Sequence, residues 1–138
     1  MNVKFKKLNK DAITPFYAKD GDAGMDLTAI TKSLDRNITT YGTGLAFEIP
    51  KGFAGFLFPR SSVYRVEQSL ANCIGLVDSG YRGEIMFKFR STGEGETYEI
   101  GDRIGQIVIM PHPEVELEEV QELETSERSL GGYGSTGF

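Results

Sequence analysis

An arginine and two serines stand side by side in FPRSSVY (residues 58–64), at the start of a predicted short helix over residues 63–66. The free backbone N–H groups in the first turn of a helix favour an anion, and Arg60 adds a positive charge there. Ser61 or Ser62 is equally the type of residue that caps a helix N-terminus. The arginine favours anion binding over a simple cap.

A second group of chemically capable residues lies in the last eleven positions, RSLGGYGSTGF (residues 128–138). Four glycines among the final eight residues cannot form a packed element, so we expect a segment that is mobile until something holds it. Arg128 is suited to clamp a phosphate and Tyr133 to stack on a base. The segment is therefore a ligand lid or, on composition alone, a disordered end. A P-loop is excluded, because no lysine precedes the Ser/Thr.

An acid and a tyrosine interrupt a strand-like run in GLVDSGYRGEI (residues 75–85). The pattern predicts a hairpin, in which Asp78 would be a turn residue with no further role. The other acidic and basic groups form no recognisable site. DGDAGMDLTA (residues 20–29) has glycines at the wrong offsets for a calcium loop, and His112 lies between prolines without partners at metal-ligand spacing.

The composition limits the possible partners. The chain has 138 residues, the size of one domain, and its net charge of −5 argues against non-specific binding to nucleic acid or anionic membranes. Cys73 has no cysteine to pair with, and we expect it to be a small core side chain. No apolar run has the length of a membrane span, so we expect a soluble protein of the cytoplasm.

The elements that must position these residues are predicted to be strands. Scattered glycines separate short runs rich in aromatic and β-branched residues, and Ile85, Phe87 and Phe89 alternate with polar or flexible side chains. Residues 52–58 and 104–110 are apolar on both parities, which indicates strands covered on both faces. Residues 114–124 alternate in their first half and are acidic and helix-prone in their second half; of the two, we expect an exposed strand. The pattern predicts an all-β sandwich or barrel with at most one short helix.

Five segments occur in the order and approximate spacing of the motifs of the trimeric dUTP diphosphatases: DAGMDL, PRSS, ANCIGLVDSGYRGE, GDRIGQ and RSLGGYGSTG. The chain resembles this family from residue 22 to residue 137. The resemblance implies a jelly-roll-like fold and a homotrimer whose active sites each take motifs from all three chains. It divides the chain into a core at residues 1–126 and a flexible lid at residues 127–138.

The resemblance also implies a reaction, the hydrolysis of dUTP to dUMP and pyrophosphate by a water that attacks the α-phosphorus. Such an activity keeps uracil out of DNA and supplies dUMP for thymidylate synthesis. Asp78 would orient and deprotonate the water. Tyr81 would pack on the deoxyribose and leave no room for a 2′-hydroxyl, while Asn72 and the backbone at Gly75 would contact the uracil edge.

The remaining motifs would bind the triphosphate and a Mg²⁺ ion that bridges its oxygens. Asp26 would act through a water on the metal or by orienting Arg60, and the resemblance leaves both open. From the lid, Arg128 would reach the terminal phosphates and Tyr133 would cover the uracil. The residues expected to hold the phosphates are Arg60, Ser61, Ser62 and Gln106.

Three other functions fit parts of the pattern. Deaminases of dCTP share the fold, but they place an Ala-Arg pair where Val63 and Tyr64 stand here. A non-catalytic regulator would bind the nucleotide and use the lid to control a protein partner, although Asp78 argues against a loss of catalysis. A structural jelly-roll protein would have no use for Arg60 or Arg128.

Overall fold

The structure is a computed structural model that describes residues 1–137; Phe138, the last residue of the predicted lid, lies outside the described residues. The described residues form ten strands and one 3₁₀ turn at Ser61–Arg65. The strands are β1 (Lys4–Lys7), β2 (Met25–Thr28), β3 (Thr31–Asp35), β4 (Ile38–Gly42), β5 (Leu45–Glu48), β6 (Phe53–Phe58), β7 (Gln68–Leu70), β8 (Gly75–Val77), β9 (Met86–Ser91) and β10 (Arg103–Pro111).

The strands form two four-stranded sheets, in the orders β2-β10-β6-β8 and β3-β4-β9-β7, and a two-stranded ribbon of β1 and β5. All of the pairings are antiparallel. Side chains from both large sheets meet in one apolar core, where Leu27 and Ile107 of the first sheet lie with Phe87 and Phe89 of the second. The all-β sandwich predicted from the sequence is therefore confirmed.

Strand β9 shows the predicted alternation, because Phe87 and Phe89 are buried while Met86, Lys88 and Arg90 are exposed. This period-2 pattern places one face of the strand in the core and the other in solvent. Among residues 1–137 no helix has the length and hydropathy that a membrane crossing requires.

The predicted hairpin at residues 75–85 is wrong. Strand β8 pairs with β6, where Gly55 lies opposite Val77, whereas β9 begins in the other sheet with Met86 opposite Gly42. Residues 78–85 cross from one sheet to the other. The reason is that the apolar strands on either side of Asp78 contribute to opposite layers of the sandwich, so they cannot pair with each other.

Three further expectations are corrected. Cys73 is exposed rather than buried, because it lies in a loop with a φ of 59°. Neither Ser61 nor Ser62 caps the 3₁₀ turn; Arg60 occupies the N-cap position just before it, without a side-chain capping bond, and the carbonyl of Arg60 accepts from the N–H of Val63 at 3.0 Å. Residues 114–124 are exposed and form no strand, since no other described segment pairs with them.

Candidate active site

Four of the residues singled out in the sequence line one cleft of about 400 Å³ at the end of β8. They are Asn72, Gly75, Asp78 and Tyr81. The loop before β8 supplies the first residue, the strand the second, and the crossing segment after it the last two. Buried Leu57 and Phe87 also line the cleft, so its lining combines apolar side chains with the polar Asn72 and Asp78.

A compact turn holds the crossing segment in shape. The backbone N–H of Tyr81 donates to the carbonyl of Asp78 at 3.1 Å. One guanidinium nitrogen of Arg82, Nη1, donates to the carbonyls of Ser79 at 2.7 Å and Tyr81 at 3.0 Å. The hydroxyl of Tyr81 donates to the carbonyl of Glu84 at 3.1 Å. Asp78 and Tyr81 therefore belong to one hydrogen-bonded unit.

The carboxylate of Asp78 is exposed at the mouth of this cleft. Within residues 1–137 no side chain or backbone N–H donates to it. A carboxylate in this condition can accept a hydrogen bond from a water and then its proton, which is the requirement for a general base.

Strand β8 supplies a backbone edge to the same cleft. It is the last strand of its sheet, and β6 occupies one side only. The outer edge of such a strand presents N–H and C=O groups that can recognise a planar ligand. Gly75 permits the close packing beneath this edge, because an added Cβ would lie 3.0 Å from two side-chain carbons of Leu57.

A second cluster lies where β2, β10 and the chain after β6 meet. Asp26 is buried, and one of its oxygens, Oδ1, accepts from Nε of Arg60 at 3.2 Å. The other oxygen, Oδ2, accepts from Nη1 of Arg103 at 2.8 Å. Buried carboxylates are stable only when they are paired, and here two arginines do so. The geometry favours Asp26 as the residue that orients Arg60.

The phosphate-binding candidates gather around this ion triad. Nη1 of Arg60 lies 3.4 Å from the hydroxyl of Ser62, and Nε2 of Gln106 donates to the carbonyl of Pro59 at 3.1 Å. Ser61 is exposed beside them, at the start of the 3₁₀ turn. Gly24 leaves room for Gln106, because a Cβ there would lie 2.5 Å from its Oε1.

Arg103 is a member of this cluster that the sequence argument missed. It stands inside the quoted motif GDRIGQ, yet only Gln106 was assigned a role from that motif. The sequence signal that could have identified Arg103 is a charged residue at the first position of the buried strand β10. A long side chain at such a position can still reach the surface.

The two lid residues contact neither cluster. Tyr133 is fully exposed, and Nε of Arg128 donates to the carbonyl of Gly131 at 3.0 Å within the lid itself. Neither residue lines the cleft of Asp78. Arg60 and Ser62 line a different cleft, together with Tyr98 and Arg103. In one chain, therefore, the cleft of Asp78, the cluster of Arg60 and the tail remain separate.

A divalent metal would find few ligands on the protein. No group of three or more His, Cys, Asp or Glu side chains is placed to hold an ion among the described residues. Both oxygens of Asp26 already accept from arginines. A site with so few protein ligands can suit Mg²⁺ when a triphosphate and waters supply most of the ligands of the ion.

The dUTPase family model matches residues 10–137, most of the chain. The chain belongs to the dUTPase family. It is 40% identical over 143 residues to the deoxyuridine 5'-triphosphate nucleotidohydrolase of Clostridium kluyveri, with 99% of each chain covered. The enzyme of the same name from Clostridioides difficile is 38% identical over 141 residues, again with 99% of each covered.

Solved dUTPase structures share the fold. The Staphylococcus bacteriophage 80alpha dUTPase with dUPNHPP superposes with a TM-score of 0.87 and 28% identity, over 99% of both chains. A mutant dUTPase from phage phi11 of S. aureus, described as coordinating a structural Mg(II) ion, has a TM-score of 0.76 at 23% identity, over 91% of this chain and 100% of that one. The family, the jelly-roll-like fold and the enzyme class predicted from the sequence are confirmed.

Proposed function

We propose that the enzyme hydrolyses dUTP to dUMP and pyrophosphate, with Asp78 as the general base. The observation that carries this proposal is the exposed Asp78 carboxylate, which stands at the mouth of a cleft beside Tyr81 and an open strand edge. In the reaction, Asp78 takes a proton from water as the oxygen bonds to the α-phosphorus. The bond from that phosphorus to the bridging oxygen breaks, and pyrophosphate leaves with its electron pair.

The base and sugar would bind in the cleft of Asp78. The outer edge of β8 and the amide of Asn72 would present donors and acceptors to the uracil edge, since hydrogen bonds to base edges discriminate strongly. The ring of Tyr81 would pack on the deoxyribose, where a 2′-hydroxyl has no space. Recognition of the base and exclusion of the ribose would therefore come from adjacent residues of one turn.

The triphosphate would bind to Arg60, Ser61, Ser62 and Gln106. Arg60 presents its guanidinium in a fixed orientation because Asp26 holds Nε at 3.2 Å, and a fixed fork is well matched to phosphate oxygens. When bound, Mg²⁺ would neutralise charge on the triphosphate, held by phosphate oxygens and waters, with Asp26 able to contact it through a water.

We infer that these parts are brought together in a homotrimer with shared sites. In one chain the cleft of Asp78 and the cluster of Arg60 are lined by different residues, and the lid touches neither. An apolar stripe supports association. Leu76, Phe56 and Val108 lie opposite one another across β8, β6 and β10, on the face turned away from the core, and Leu76 is 64% exposed.

Residues 127–138 would act as the lid, and residues 1–126 as the core. Arg128 would reach the terminal phosphates and Tyr133 the uracil, and closure would exclude bulk water and strengthen the charge contacts inside. Hydrolysis would keep uracil out of DNA and supply dUMP for thymidylate synthesis, and we expect the enzyme to act in the cytoplasm.

Pyrophosphate release tests this function. The purified enzyme is given dUTP, dTTP, dCTP or UTP, with and without Mg²⁺, and ammonia is measured alongside pyrophosphate. Release from dUTP alone, dependent on Mg²⁺, is the expected result. Ammonia from dCTP would indicate a deaminase, and tight dUTP binding without any product would indicate a nucleotide-binding regulator.

A further inference from the structure

The ring of Tyr81 occupies space that only a glycine at position 83 leaves free. A Cβ added to Gly83 would lie 2.5 Å from Cζ of Tyr81 and 3.0 Å from Cε2, and in equally close contact with the hydroxyl. Carbon atoms that are not bonded do not approach so closely. The ring therefore rests directly on the backbone at residue 83, an approach that a residue without a side chain permits.

The tyrosine is also held at its far end. Its hydroxyl donates to the carbonyl of Glu84 at 3.1 Å, one residue beyond the glycine. Its own backbone N–H donates to the carbonyl of Asp78 at 3.1 Å. The side chain thus folds back over the segment that follows it, with the glycine under the ring and a hydrogen bond beyond.

The backbone beneath the ring is fixed to the body of the fold. Oε1 of Glu84 accepts from the N–H of Gly44 at 2.8 Å. The N–H of Ile85 donates to the carbonyl of Leu45 at 2.8 Å, and the side chain of Ile85 is buried in the core. The backbone therefore has little freedom to relieve the clash that a methyl group at position 83 would make with the ring of Tyr81. The ring, at the end of a side chain, is the part that moves.

We propose that Gly83 is a positioning residue that sets the sugar-facing ring of Tyr81 and thereby the preference for deoxyribose over ribose. The inference rests on the proposed function, in which this ring packs on the sugar. Tyr81 lines the cleft and Gly83 does not, so a methyl group at position 83 would displace the ring from the position in which it faces the cleft. The sugar would then lose its packing surface, and the ring would no longer exclude a 2′-hydroxyl.

The test compares Gly83→Ala with Gly80→Ala, a matched change in the same turn. A Cβ at Gly80 meets nothing within 4 Å, and neither glycine has a positive φ, so alanine is compatible with the backbone at both positions. For each variant, kcat and KM are measured with dUTP and with UTP. We expect Gly83→Ala to lower the dUTP/UTP ratio of kcat/KM about tenfold or more, with a raised KM for dUTP. Gly80→Ala should keep the wild-type ratio.

A double-mutant cycle separates positioning from a general loss of structure. In a Tyr81→Ala background the methyl group at position 83 no longer meets a ring. Adding Gly83→Ala should therefore leave the dUTP/UTP ratio of kcat/KM within about twofold of that of Tyr81→Ala alone. The inference about Gly83 would be overturned, and the proposed function left intact, if Gly83→Ala kept the wild-type dUTP/UTP ratio of kcat/KM. The same would follow if Gly83→Ala lowered this ratio as much in the Tyr81→Ala background as in the wild type. A wild-type enzyme that does not prefer dUTP would overturn the proposed function as well, so the two failures are distinguishable.

Discussion

Replacing Asp26 with asparagine should cost stability and loosen Arg60 at the same time. The side chain of Asp26 is 9% exposed, while those of Arg60 and Arg103 are 26% and 41% exposed. Asparagine has nearly the same shape but only one accepting oxygen. It can keep one arginine, without charge assistance, and it turns an N–H group towards the other.

The size of the effect follows from this exposure. A hydrogen bond to a charged group contributes roughly 1.5–3 kcal/mol net, and breaking a fully buried ion pair costs about 3–5 kcal/mol. Both arginines reach water and can be hydrated after the change. The loss of stability should therefore lie in the range for a single hydrogen bond to a charged group and not in the range for a fully buried ion pair. We expect Asp26→Asn to lower the free energy of unfolding by about 2 kcal/mol.

Urea unfolding at one fixed protein concentration measures this loss, since association would otherwise shift the midpoint. Asp20→Asn is the control, because Asp20 is exposed on the loop before β2, and it should stay within about 0.5 kcal/mol of the wild type. The KM for dUTP should rise in Asp26→Asn only. If the two variants unfold alike, the ion triad does not hold this corner of the fold and the reasoning is refuted.

Three other predictions concern the base, the lid and a buried hydroxyl. Asp78→Asn should still bind dUPNHPP in a titration while turnover of dUTP falls about 10²–10⁴-fold, whereas an equal loss of binding would make the acid structural. Deletion of residues 130–138 should leave the unfolding curve unchanged and reduce kcat/KM, because residues 130–137 are almost wholly exposed. Mixing such chains with Asp78→Asn chains should restore part of the activity, and a mixture without activity would mean that each chain works alone. Burial raises the pKa of Tyr98 above its ordinary 10.0, so the unfolded chain loses the hydroxyl proton at a lower pH than the folded chain. The free energy of unfolding should therefore fall as the pH rises above about 10. Tyr98→Phe should make this fall shallower, and an unchanged pH profile in the variant would contradict the prediction.

The sequence predicted those features that depend on local pattern. The alternation around Phe87 and Phe89 placed β9 with one face in the core. The resemblance of the third motif assigned Asp78 and Tyr81 to one site, and both line one cleft in the structure. The five motifs predicted the family. Each of these signals lies within a few neighbouring residues, so no knowledge of distant partners was needed.

The features that the sequence did not predict depend on contacts between distant segments. Asp26 and Arg103 are 77 residues apart, so nothing local marks them as an ion pair. The pairing of β8 is also distant in sequence, because Val77 of β8 lies opposite Gly55 of β6. The local pattern does not show this pairing, so the crossing segment after β8 resembled a hairpin. Residues 114–124 have a strand-like pattern, but no segment among residues 1–137 pairs with them, and a pattern without a partner makes no strand.

Hydrolysis in water enriched with oxygen-18 tests the central claim most directly. The account has Asp78 deliver a water oxygen to the α-phosphorus, so one labelled oxygen should enter each dUMP formed in a single turnover, and the pyrophosphate should carry none. Mass spectrometry of the two products reads this out. Label in the pyrophosphate instead would mean that water attacks a different phosphorus, and the assignment of Asp78 would fail.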